Sequence, residues 1–348
     1  GYAVRAADAA AGARLPVSQR IPAGHVGGPL QPGTAARIFT GGLIPPGADA
    51  VVMQELAETD GDTVVIREAP APGQWIRRAG EDIREGAEIL RAGERLRPQA
   101  VGLAASVGLA EVTVHRRVRV ACFFTGDELA NPGEPLPPGA TYNSNRYVLV
   151  GMLRALGCEV SDLGTVPDSL EATRAALREA AAGNDLIVTS GGVSVGEEDH
   201  IRPALEAEGE LSLWQIAIKP GKPLAYGRVR DGATRHAHFI GLPGNPVSSF
   251  VTFLLFVRPF LLRLQGVERV APVALPMRAD FDWTRPDRRR EFLRARINEG
   301  GGLELFPHQG SAVLTSTAWA DGLVDNPPGG EIHRGDTVRF LPFDSLLA

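Results

Sequence analysis

Asp185-Leu-Ile-Val-Thr-Ser-Gly-Gly-Val-Ser-Val-Gly196 is the stretch of sequence on which the predicted fold depends. Residues 185–190 are mostly apolar and predict a buried strand, and the glycines that follow predict a tight loop. Two other apolar runs, residues 118–124 and 238–242, also lead into glycine-containing loops. Strands that are apolar on both sides are typical of a parallel sheet covered by helices.

Stretches with helical spacing separate these strands. Residues 145–156 carry apolar side chains at helical intervals and stop at a glycine. Residues 168–182 follow the same pattern, and Asp168 with Glu171 three positions later predicts a capping box at the start of that helix. Because helices alternate with strands, the sequence predicts an α/β domain with a central parallel sheet over residues 115–267.

A long apolar helix is predicted after the third apolar strand, with Asn245 as its cap and Pro246 in its first turn. Its most apolar part, residues 250–262, is interrupted by Arg258 and Pro259. This interruption favours a buried helix over a membrane span. The start of the chain also lacks the pattern of a secretory signal. We therefore expect no membrane association.

The regions on either side of the α/β domain have a different pattern. Residues 1–82 consist of short alternating runs separated by Pro/Gly clusters, which predict a β-rich domain. Residues 83–114 are interpreted as part of a small connecting domain whose remainder lies N-terminal to this chain. Residues 268–348 return to a β pattern. The predicted fold class is therefore multidomain α/β plus β.

The composition excludes several classes of protein. The chain has 348 residues, of which 44% are hydrophobic and 22% charged, as in folded globular proteins. A formal net charge of -5 argues against a nucleic-acid binder. Cys122 and Cys158 are too few for a disulfide framework, which favours a reducing cytoplasm. The chain begins at Gly1 without a methionine, so we expect it to be part of a longer protein.

Lysine occurs only twice in this chain. Of the 36 basic residues, 34 are arginines, and the two lysines are Lys219 and Lys222 in the short loop Lys-Pro-Gly-Lys. An ammonium group is a compact charge with rotatable donors, whereas a guanidinium is a rigid plane. The sequence therefore predicts that the two lysines contact an anion.

Three glycine-containing loops are candidates for an anion site. They follow the apolar strands and contain Thr125-Gly126, residues 190–196 and residues 241–246. In a parallel α/β sheet such loops gather at the carboxyl edge, where ligands bind. Glycines allow close approach of the backbone, and helix N-termini offer free N–H groups to a phosphate. Each loop alone is also compatible with a plain connection between strand and helix.

Carboxylates stand in or beside two of these loops. Asp127 and Glu128 follow the first, and Glu197, Glu198 and Asp199 follow the second. Oxygen ligands beside a bound phosphate suit Mg²⁺. The helix dipole also favours acidic residues in a first turn, so this alternative stays open. The seven histidines show no metal-binding spacing.

Segments in this order resemble the molybdopterin molybdenumtransferases, a family that includes bacterial enzymes and the C-terminal domain of gephyrin. The resemblance covers nearly the whole chain. The segments that carry it are Gly-Tyr-Ala-Val4, Arg37-Ile-Phe-Thr-Gly41, Pro46-Gly-Ala-Asp-Ala-Val-Val52, Gly80-Glu-Asp-Ile83, Thr125-Gly-Asp-Glu-Leu129, Ser190-Gly-Gly-Val-Ser-Val-Gly-Glu197, Lys219-Pro-Gly-Lys-Pro223, Leu242-Pro-Gly-Asn-Pro246 and His308-Gln-Gly-Ser311.

The resemblance implies a fold and a reaction. The fold would be an elongated homodimer in which residues 1–82 form a β-rich inserted domain. Residues 115–267 would be similar to molybdopterin adenylyltransferase, and residues 268–348 would form a C-terminal β-barrel. The reaction would convert adenylated molybdopterin and molybdate into molybdenum cofactor and AMP with Mg²⁺. The active cleft would use both subunits, and other proteins of cofactor biosynthesis would be partners.

The resemblance also assigns roles to individual residues. Glu128 and Asp199 would lie near the metal or the phosphates, Lys219 and Lys222 on anionic groups, and Ser311 with Arg290 near the molybdate or pterin. The predicted catalytic residues are Asp82, Glu128, Asp168, Asp199 and Lys219. The predicted substrate-binding residues are Thr40, Thr125, Gly126, Ser190, Gly191, Gly192, Ser194, Gly196, Lys222, Pro243, Asn245, Pro246, Arg290 and Ser311.

The chain departs from the family pattern at three places. The aspartate that precedes Gly-Tyr-Ala in the family lies before Gly1. Gln215 stands where many relatives carry a basic residue, so one positive contact to the nucleotide is missing. Phe124 replaces a small residue before Thr125.

Two alternative functions are open on the sequence. The α/β domain alone would suit a molybdopterin adenylyltransferase, but that enzyme needs neither flanking β-rich region. A gephyrin-like scaffold without catalysis would need a peptide-binding surface, and the sequence shows no obvious one. The sequence does not separate molybdate from tungstate, because both are tetrahedral dianions of nearly equal size.

Overall fold

The computed structural model describes residues 1–193 and 199–347. The predicted binding residues Ser194 and Gly196 therefore lie outside the described residues. The chain divides into two compact units, Gly1–Ile89 and Leu90–Ala348.

The first unit is built on a six-stranded sheet. Its strand order is β4-β1-β3-β2-β6-β5, and apolar side chains of these strands form a buried core. The pattern of short strands between Pro/Gly clusters is confirmed. The strands are β1 Tyr2–Val4, β2 Arg14–Ile21, β3 Ala35–Ile38, β4 Ala50–Val52, β5 Ala57–Asp60 and β6 Thr63–Ile66.

The second unit contains a six-stranded central sheet of order β10-β7-β11-β15-β14-β12. Its elements come after helix α1, Pro98–Ser106. They are β7 Arg119–Thr125, β8 Leu129–Ala130, β9 Thr141–Tyr142, α2 Ser144–Ala155, β10 Glu159–Val166, α3 Leu170–Ala181, β11 Leu186–Ser190, α4 Ile201–Glu208, β12 Gly209–Gln215, β13 Ile218–Lys219, β14 Pro223–Asp231, β15 Arg235–Leu242 and α5 Pro246–Leu264.

Helices cover both faces of this sheet, as the sequence predicted. On β7, Val120 and Cys122 face a core shared with α2 and α5, while Ala121 and Phe123 face a core shared with α3 and α4. This arrangement explains why the strand is apolar at every position.

The sheet is only partly parallel. Strands β10, β7, β11 and β15 are parallel, but at one edge β14 runs antiparallel to β15 and β12 runs antiparallel to β14. The reason is the short turn around Gly232, which joins β14 and β15 as a hairpin and so reverses the chain. The prediction of a wholly parallel sheet was wrong at this edge.

Helix α3 begins one residue later than the capping box implied. Its N-cap is Ser169, whose Oγ accepts a hydrogen bond from the backbone N–H of Ala172 at 3.2 Å. Asp168 is therefore not the cap. The predicted N-terminus of the helix was correct within one residue. Because the hydroxyl of Ser169 caps the helix, the Asp168 carboxylate remains available for other contacts.

The long apolar helix predicted after the third apolar strand is confirmed, since α5 runs through Arg258 and Pro259 to Leu264. Residues Phe253–Val257 form a π-helical turn just before Pro259. Proline has no backbone N–H to donate, and the local change in hydrogen-bond pattern lets the helix continue past it. Helix α5 has 19 residues and a mean hydropathy of 1.7, so by length and composition alone it could cross a membrane. However, 67% of its most apolar 18-residue stretch is buried inside the fold. Asn245 occupies the N-cap position without a side-chain cap.

The C-terminal region forms a second sheet of order β13-β17-β19-β20-β16, with β18 paired to β17. The β pattern predicted for this region is confirmed, and an isolated bridge joins Ala279 to Leu303. Its elements are β16 Leu275–Arg278, β17 Arg290–Ile297, β18 Leu303–Leu305, α6 Thr315–Trp319, β19 Gly322–Asn326, β20 Thr337–Pro342 and α7 Phe343–Leu347.

Arg258 fastens the last helix to α5. Its side chain is 8% exposed, Nε donates to the carbonyl of Leu346 at 2.6 Å, and Nη2 donates to the carbonyl of Ser345 at 3.2 Å. A third donor reaches the carbonyl of Val270 at 3.1 Å. Burial lowers the pKa of this guanidinium. The interruption that the sequence showed in an apolar helix is thus a buried cation that satisfies carbonyl groups at a helix end.

We expect Arg258→Lys to lower the free energy of unfolding by about 1.5–3 kcal/mol, because an ammonium cannot reproduce the three-way fork and leaves buried carbonyls unsatisfied. Urea unfolding followed by circular dichroism measures the change. Arg263→Lys on the exposed side of the same helix is the matched control and should shift the free energy by less than about 0.5 kcal/mol. Equal effects of the two substitutions would contradict this role.

Candidate functional site

A cleft of about 660 Å³ opens at the carboxyl ends of β7, β11 and β15. The three glycine-containing loops that the sequence singled out meet here. The predicted residues that line the cleft are Thr125, Gly126, Glu128, Asp168, Ser190, Gly191, Gly192, Asp199, Pro243, Asn245 and Pro246.

Two of these loops touch so closely that only glycine fits. Gly191 has a φ of +98°, and a Cβ there would lie 2.4 Å from the carbonyl oxygen of Thr125. Gly192 has a φ of +63°, and its Cβ would lie 2.9 Å from Thr125 Oγ1. The backbone of the second loop therefore packs directly on the end of β7. Thr125 is 5% exposed, and its hydroxyl is without a hydrogen-bond partner among the described residues.

Asn145 joins the second and third loops, a role that sequence reasoning missed. Its side-chain Nδ2 donates to Ser190 Oγ and to the carbonyl of Gly244, both at 2.8 Å. Ser190 Oγ in turn donates to the carbonyl of Pro243 at 2.9 Å. The residue was hidden in the apolar helix pattern of residues 145–156. The only signal was a second asparagine two positions after the one that caps α2.

Carboxylates cluster on one side of the cleft. Asp168, Glu128 and Asp199 line it, and Asp127 Oδ1 accepts a hydrogen bond from the Asp168 backbone N–H at 3.1 Å. Burial raises the pKa of Asp168, and the negative charges of Asp127 and Glu128 raise it further. Such a group carries its negative charge less readily than an ordinary aspartate, unless a cation is present to offset the repulsion.

Lys219 does not line this cleft but a smaller cavity of about 250 Å³. Strand β13 pairs with β17 in parallel register, which aligns Lys219 with Glu291. Lys219 Nζ lies 3.2 Å from Glu291 Oε1 and 3.4 Å from Asp287 Oδ2. The ammonium group is therefore held by two carboxylates, although 40% of the side chain remains exposed.

Arg294 lines the same smaller cavity and was missed by sequence reasoning. Its side chain is 1% exposed, and burial lowers its pKa to about 10. Three of its five N–H groups donate to neutral acceptors, namely Ser316 Oγ, the Phe292 carbonyl and the Gly310 carbonyl, at 3.1–3.2 Å. Across the part of the chain that the structure describes, it forms no ion pair with a carboxylate. The signal that could have found it is an arginine inside the apolar strand Phe-Leu-Arg-Ala295.

One short segment borders both cavities. Gly310 lines the smaller cavity and Ala312 lines the larger cleft, so Ser311 stands between them. The carbonyl of Ser311 accepts a hydrogen bond from the Val247 N–H at 3.0 Å. This contact holds the C-terminal region against the first turn of α5. Asp199 thus lines the larger cleft and Lys219 the smaller cavity, and residues 310–312 connect the borders of the two.

Arg290 lines neither of these cavities. Its guanidinium forms a bidentate pair with Asp325, at 2.5 and 2.8 Å, and Arg339 approaches the same carboxylate at 3.1 Å. A role for Arg290 with Ser311 near the molybdate therefore stays a prediction.

Three further predicted residues are exposed at the surface. Thr40 and Asp82 are exposed loop residues of the first unit. Lys222 is exposed, and Pro223 beside it lines the larger cleft. Of the two departures within the chain, Phe124 is fully buried at the cleft wall and Gln215 is exposed at the end of β12. Among the described residues, no cluster of three metal-ligating side chains is present.

Family models match most of the chain. The MoeA N-terminal region (domain I and II) matches residues 1–108, the probable molybdopterin binding domain matches residues 121–263, and the MoeA C-terminal region (domain IV) matches residues 276–343. The larger cleft lies mostly within the second of these matches.

Individual relatives align over nearly the full length. The chain is 40% identical to the molybdopterin molybdenumtransferase of Haemophilus influenzae over 100% of this chain and 87% of the relative, and 37% identical to molybdopterin molybdenumtransferase 2 of Mycobacterium tuberculosis over 94% and 83%. A crystal structure of the molybdopterin biosynthesis moeA protein from Pyrococcus horikoshii superposes with a TM-score of 0.82 at 29% identity, covering 98% of this chain and 86% of that one. The chain belongs to the molybdopterin molybdenumtransferase family.

Proposed function

We propose that this protein inserts molybdenum from molybdate into adenylated molybdopterin, which gives molybdenum cofactor and AMP. The observation that carries the proposal is the pair of adjoining cavities with different chemistry. One is a roomy cleft at the ends of parallel strands, and the other is a small cavity with a buried guanidinium and a lysine. The curated relatives carry the name of this activity.

The larger cleft suits the adenylated pterin. Its volume of about 660 Å³ lies within the range of small-molecule sites. Gly191 and Gly192 bring backbone close to the ligand, and the first turn of α5 adds a positive helix end for the phosphates. Residues 121–263 also match a family described as a probable molybdopterin binding domain.

The smaller cavity suits molybdate. Arg294 uses three of its five N–H groups within the protein, so two remain for the oxygens of a tetrahedral dianion. Lys219 adds a second cation at the same cavity. Its two carboxylate partners hold the ammonium in position. Because the net charge of the chain is -5, the repulsion between the two anionic substrates has to be offset by local cations of this kind.

The reaction then depends on placing the two substrates side by side. The dithiolene thiols form bonds to molybdenum while oxygen leaves as water with the thiol protons. A second water attacks the phosphoanhydride, so that AMP leaves and a phosphate remains on the pterin. The segment that contains Ser311 is shared by both cavities, so a substrate in each would have its reacting groups close together. Positioning of this kind removes the entropic cost of a bimolecular encounter.

Magnesium dependence is part of the proposal. Glu128 and Asp199 would hold the ion, with Asp168 nearby, because all three carboxylates line the cleft. The donor set fits Mg²⁺, which needs only one or two carboxylates when phosphate and water supply the remaining ligands. When bound, the ion would neutralise charge on the phosphoanhydride. We further propose a cytoplasmic homodimer that works with other proteins of cofactor biosynthesis.

The C-terminal sheet is proposed to close into the predicted barrel. The main path of strands is open, running from β13 to β16. Support for closure comes from the bridge between Ala279, just after β16, and Leu303 in β18, since β18 already pairs with β17. A closed sheet would remove exposed edges beside the smaller cavity.

We expect Arg294→Met to lower the rate of AMP release at least about 100-fold, because it removes the buried donors for the oxyanion while keeping the side-chain volume. The assay mixes purified protein with adenylated molybdopterin, molybdate and Mg²⁺ and follows AMP by chromatography. Arg290→Met is the matched control on the same strand and should leave the rate within a few fold. A larger loss for Arg290→Met than for Arg294→Met would contradict the assignment.

We expect Lys219→Ala to abolish cofactor formation with the fold intact, because it removes the second cation of the oxyanion cavity. Lys222→Ala should have a smaller effect, since Lys222 is exposed and lines neither cavity. The same assay measures both, and circular dichroism checks the fold. Wild-type turnover in Lys219→Ala would count against the role. Formation of adenylated molybdopterin from ATP and molybdopterin would instead favour an adenylyltransferase.

The raised pKa of Asp168 predicts a pH dependence in metal-free protein. Since the pKa is higher in the folded state than the ordinary 3.8, the ionised form costs stability at neutral pH, and this cost disappears as the pH falls below 3.8. Asp168→Asn should therefore raise the melting temperature at pH 7 in EDTA, and the gain should shrink on acidification.

Asp185→Asn should show the opposite sign. The hydrogen bond from Arg116 lowers the pKa of Asp185, so its ionised form stabilises the fold at neutral pH. The melting temperature of this variant should fall at pH 7, and the deficit should shrink as acid protonates the wild-type carboxyl. A gain for Asp185→Asn, or a loss for Asp168→Asn, at pH 7 would contradict the electrostatic description of these two groups.

A further inference from the structure

Asn145 has one hydrogen-bonding group for which the described residues offer no partner. Both N–H groups of its amide are accounted for, since Nδ2 donates to Ser190 Oγ and to the Gly244 carbonyl at 2.8 Å each. A carbonyl oxygen can only accept, so the amide face toward Gly244 must be the NH₂ group. The orientation of the side chain is therefore determined, and its Oδ1 atom is directed away from these two partners.

The environment keeps this amide from rotating. Ser190 Oγ donates to the Pro243 carbonyl at 2.9 Å, so its proton is committed and it can only accept from Asn145. Ser249 Oγ, which is buried, donates a hydrogen bond to the same Ser190 Oγ at 3.4 Å. A flip of the amide would place Oδ1 against the Gly244 carbonyl and lose both donor bonds.

Asn145 also lines the larger cleft. Within the described residues no hydrogen bond reaches its Oδ1, so this acceptor is available to a ligand in the cleft. The buried hydroxyl of Thr125, a second polar group of the cleft wall, also has no hydrogen-bond partner in residues 1–193 and 199–347. Polar groups that are satisfied on one side and free toward a cavity are typical of residues that orient a ligand.

We propose that Asn145 is a specificity-determining residue whose Oδ1 accepts a hydrogen bond from a neutral N–H or O–H group of the substrate. The inference rests on the proposed function and goes beyond the anion contacts that the sequence predicted. An acceptor repels phosphate oxygens, so this atom selects the uncharged part of an adenylated pterin. Two groups carry that chemistry, the N–H edge of the pterin ring and the hydroxyls of the ribose.

The test compares ligands that differ by one donor on two forms of the full chain. The probes are AMP against 2′-deoxy-AMP and 3′-deoxy-AMP, and 6-hydroxymethylpterin against its N3-methyl derivative. Dissociation constants are measured by titration calorimetry for wild type and for Asn145→Ala. In wild type, one of the two ligand families should lose about tenfold in affinity when the donor is removed. The family that responds identifies the ribose or the pterin as the donor.

In Asn145→Ala, that discrimination should vanish, so that both members of the pair bind equally. A purely structural role for Asn145 would weaken both members by the same factor and preserve their ratio. Ser249→Ala is the matched control, because it disturbs the same network from the buried side without lining the cleft. It should lower the melting temperature somewhat and leave the discrimination intact.

Two results would overturn the inference, and they are distinguishable. If wild type binds the probes and Asn145→Ala keeps the wild-type ratio within every pair, Asn145 does not read the substrate, while the proposed function stands. If wild type binds neither AMP nor the pterin, both the inference and the proposed function fail.

Discussion

The alignment of three strand ends is the constraint on which the site depends. Phe124, Ser190 and Leu242 are neighbours in one row across β7, β11 and β15. Since parallel strands in this register end together, the loops that follow them emerge at one edge of the sheet. The contact of Gly191 with the Thr125 carbonyl then brings two of the loops together, and the amide of Asn145 ties the second to the third. A larger residue at position 191 would push the loops apart.

Charge in this protein is arranged locally, because the chain as a whole is acidic. Most arginines pair with carboxylates or carbonyls at the surface, where such pairs contribute little to stability. Arg294 differs, since it is buried among neutral acceptors and borders a cavity. An unpaired buried cation is costly in free energy, and a bound anion would offset that cost. Arg294 is therefore distinguished from the other arginines by its burial beside a cavity.

Much of the central domain could be predicted because its signals are local. The apolar runs of β7 and β11 and the periodicity of α2 and α3 are properties of neighbouring residues, and their bounds were found within a residue or two. The antiparallel edge was missed because β14 and β12 become neighbours of the sheet through a hairpin, not through a helical crossover. The start of α3 was assigned to Asp168 because Glu171, three residues later, completes a capping box. Ser169 also has a side-chain oxygen that can cap the helix, and its Oγ accepts the hydrogen bond from the Ala172 N–H.

The sequence by itself determined the family, the order of domains and the loops that form the larger cleft. These follow from motifs and periodicities whose meaning does not depend on distant residues. Only the tertiary structure decided which cations face a cavity. Arg290 and Arg294 stand four positions apart on one strand, yet Asp325 on β19 neutralises the first, while the second finds only neutral acceptors. The partner of a charged side chain comes from another part of the chain, and that pairing, not the residue type, sets the capacity of the charge to bind a ligand.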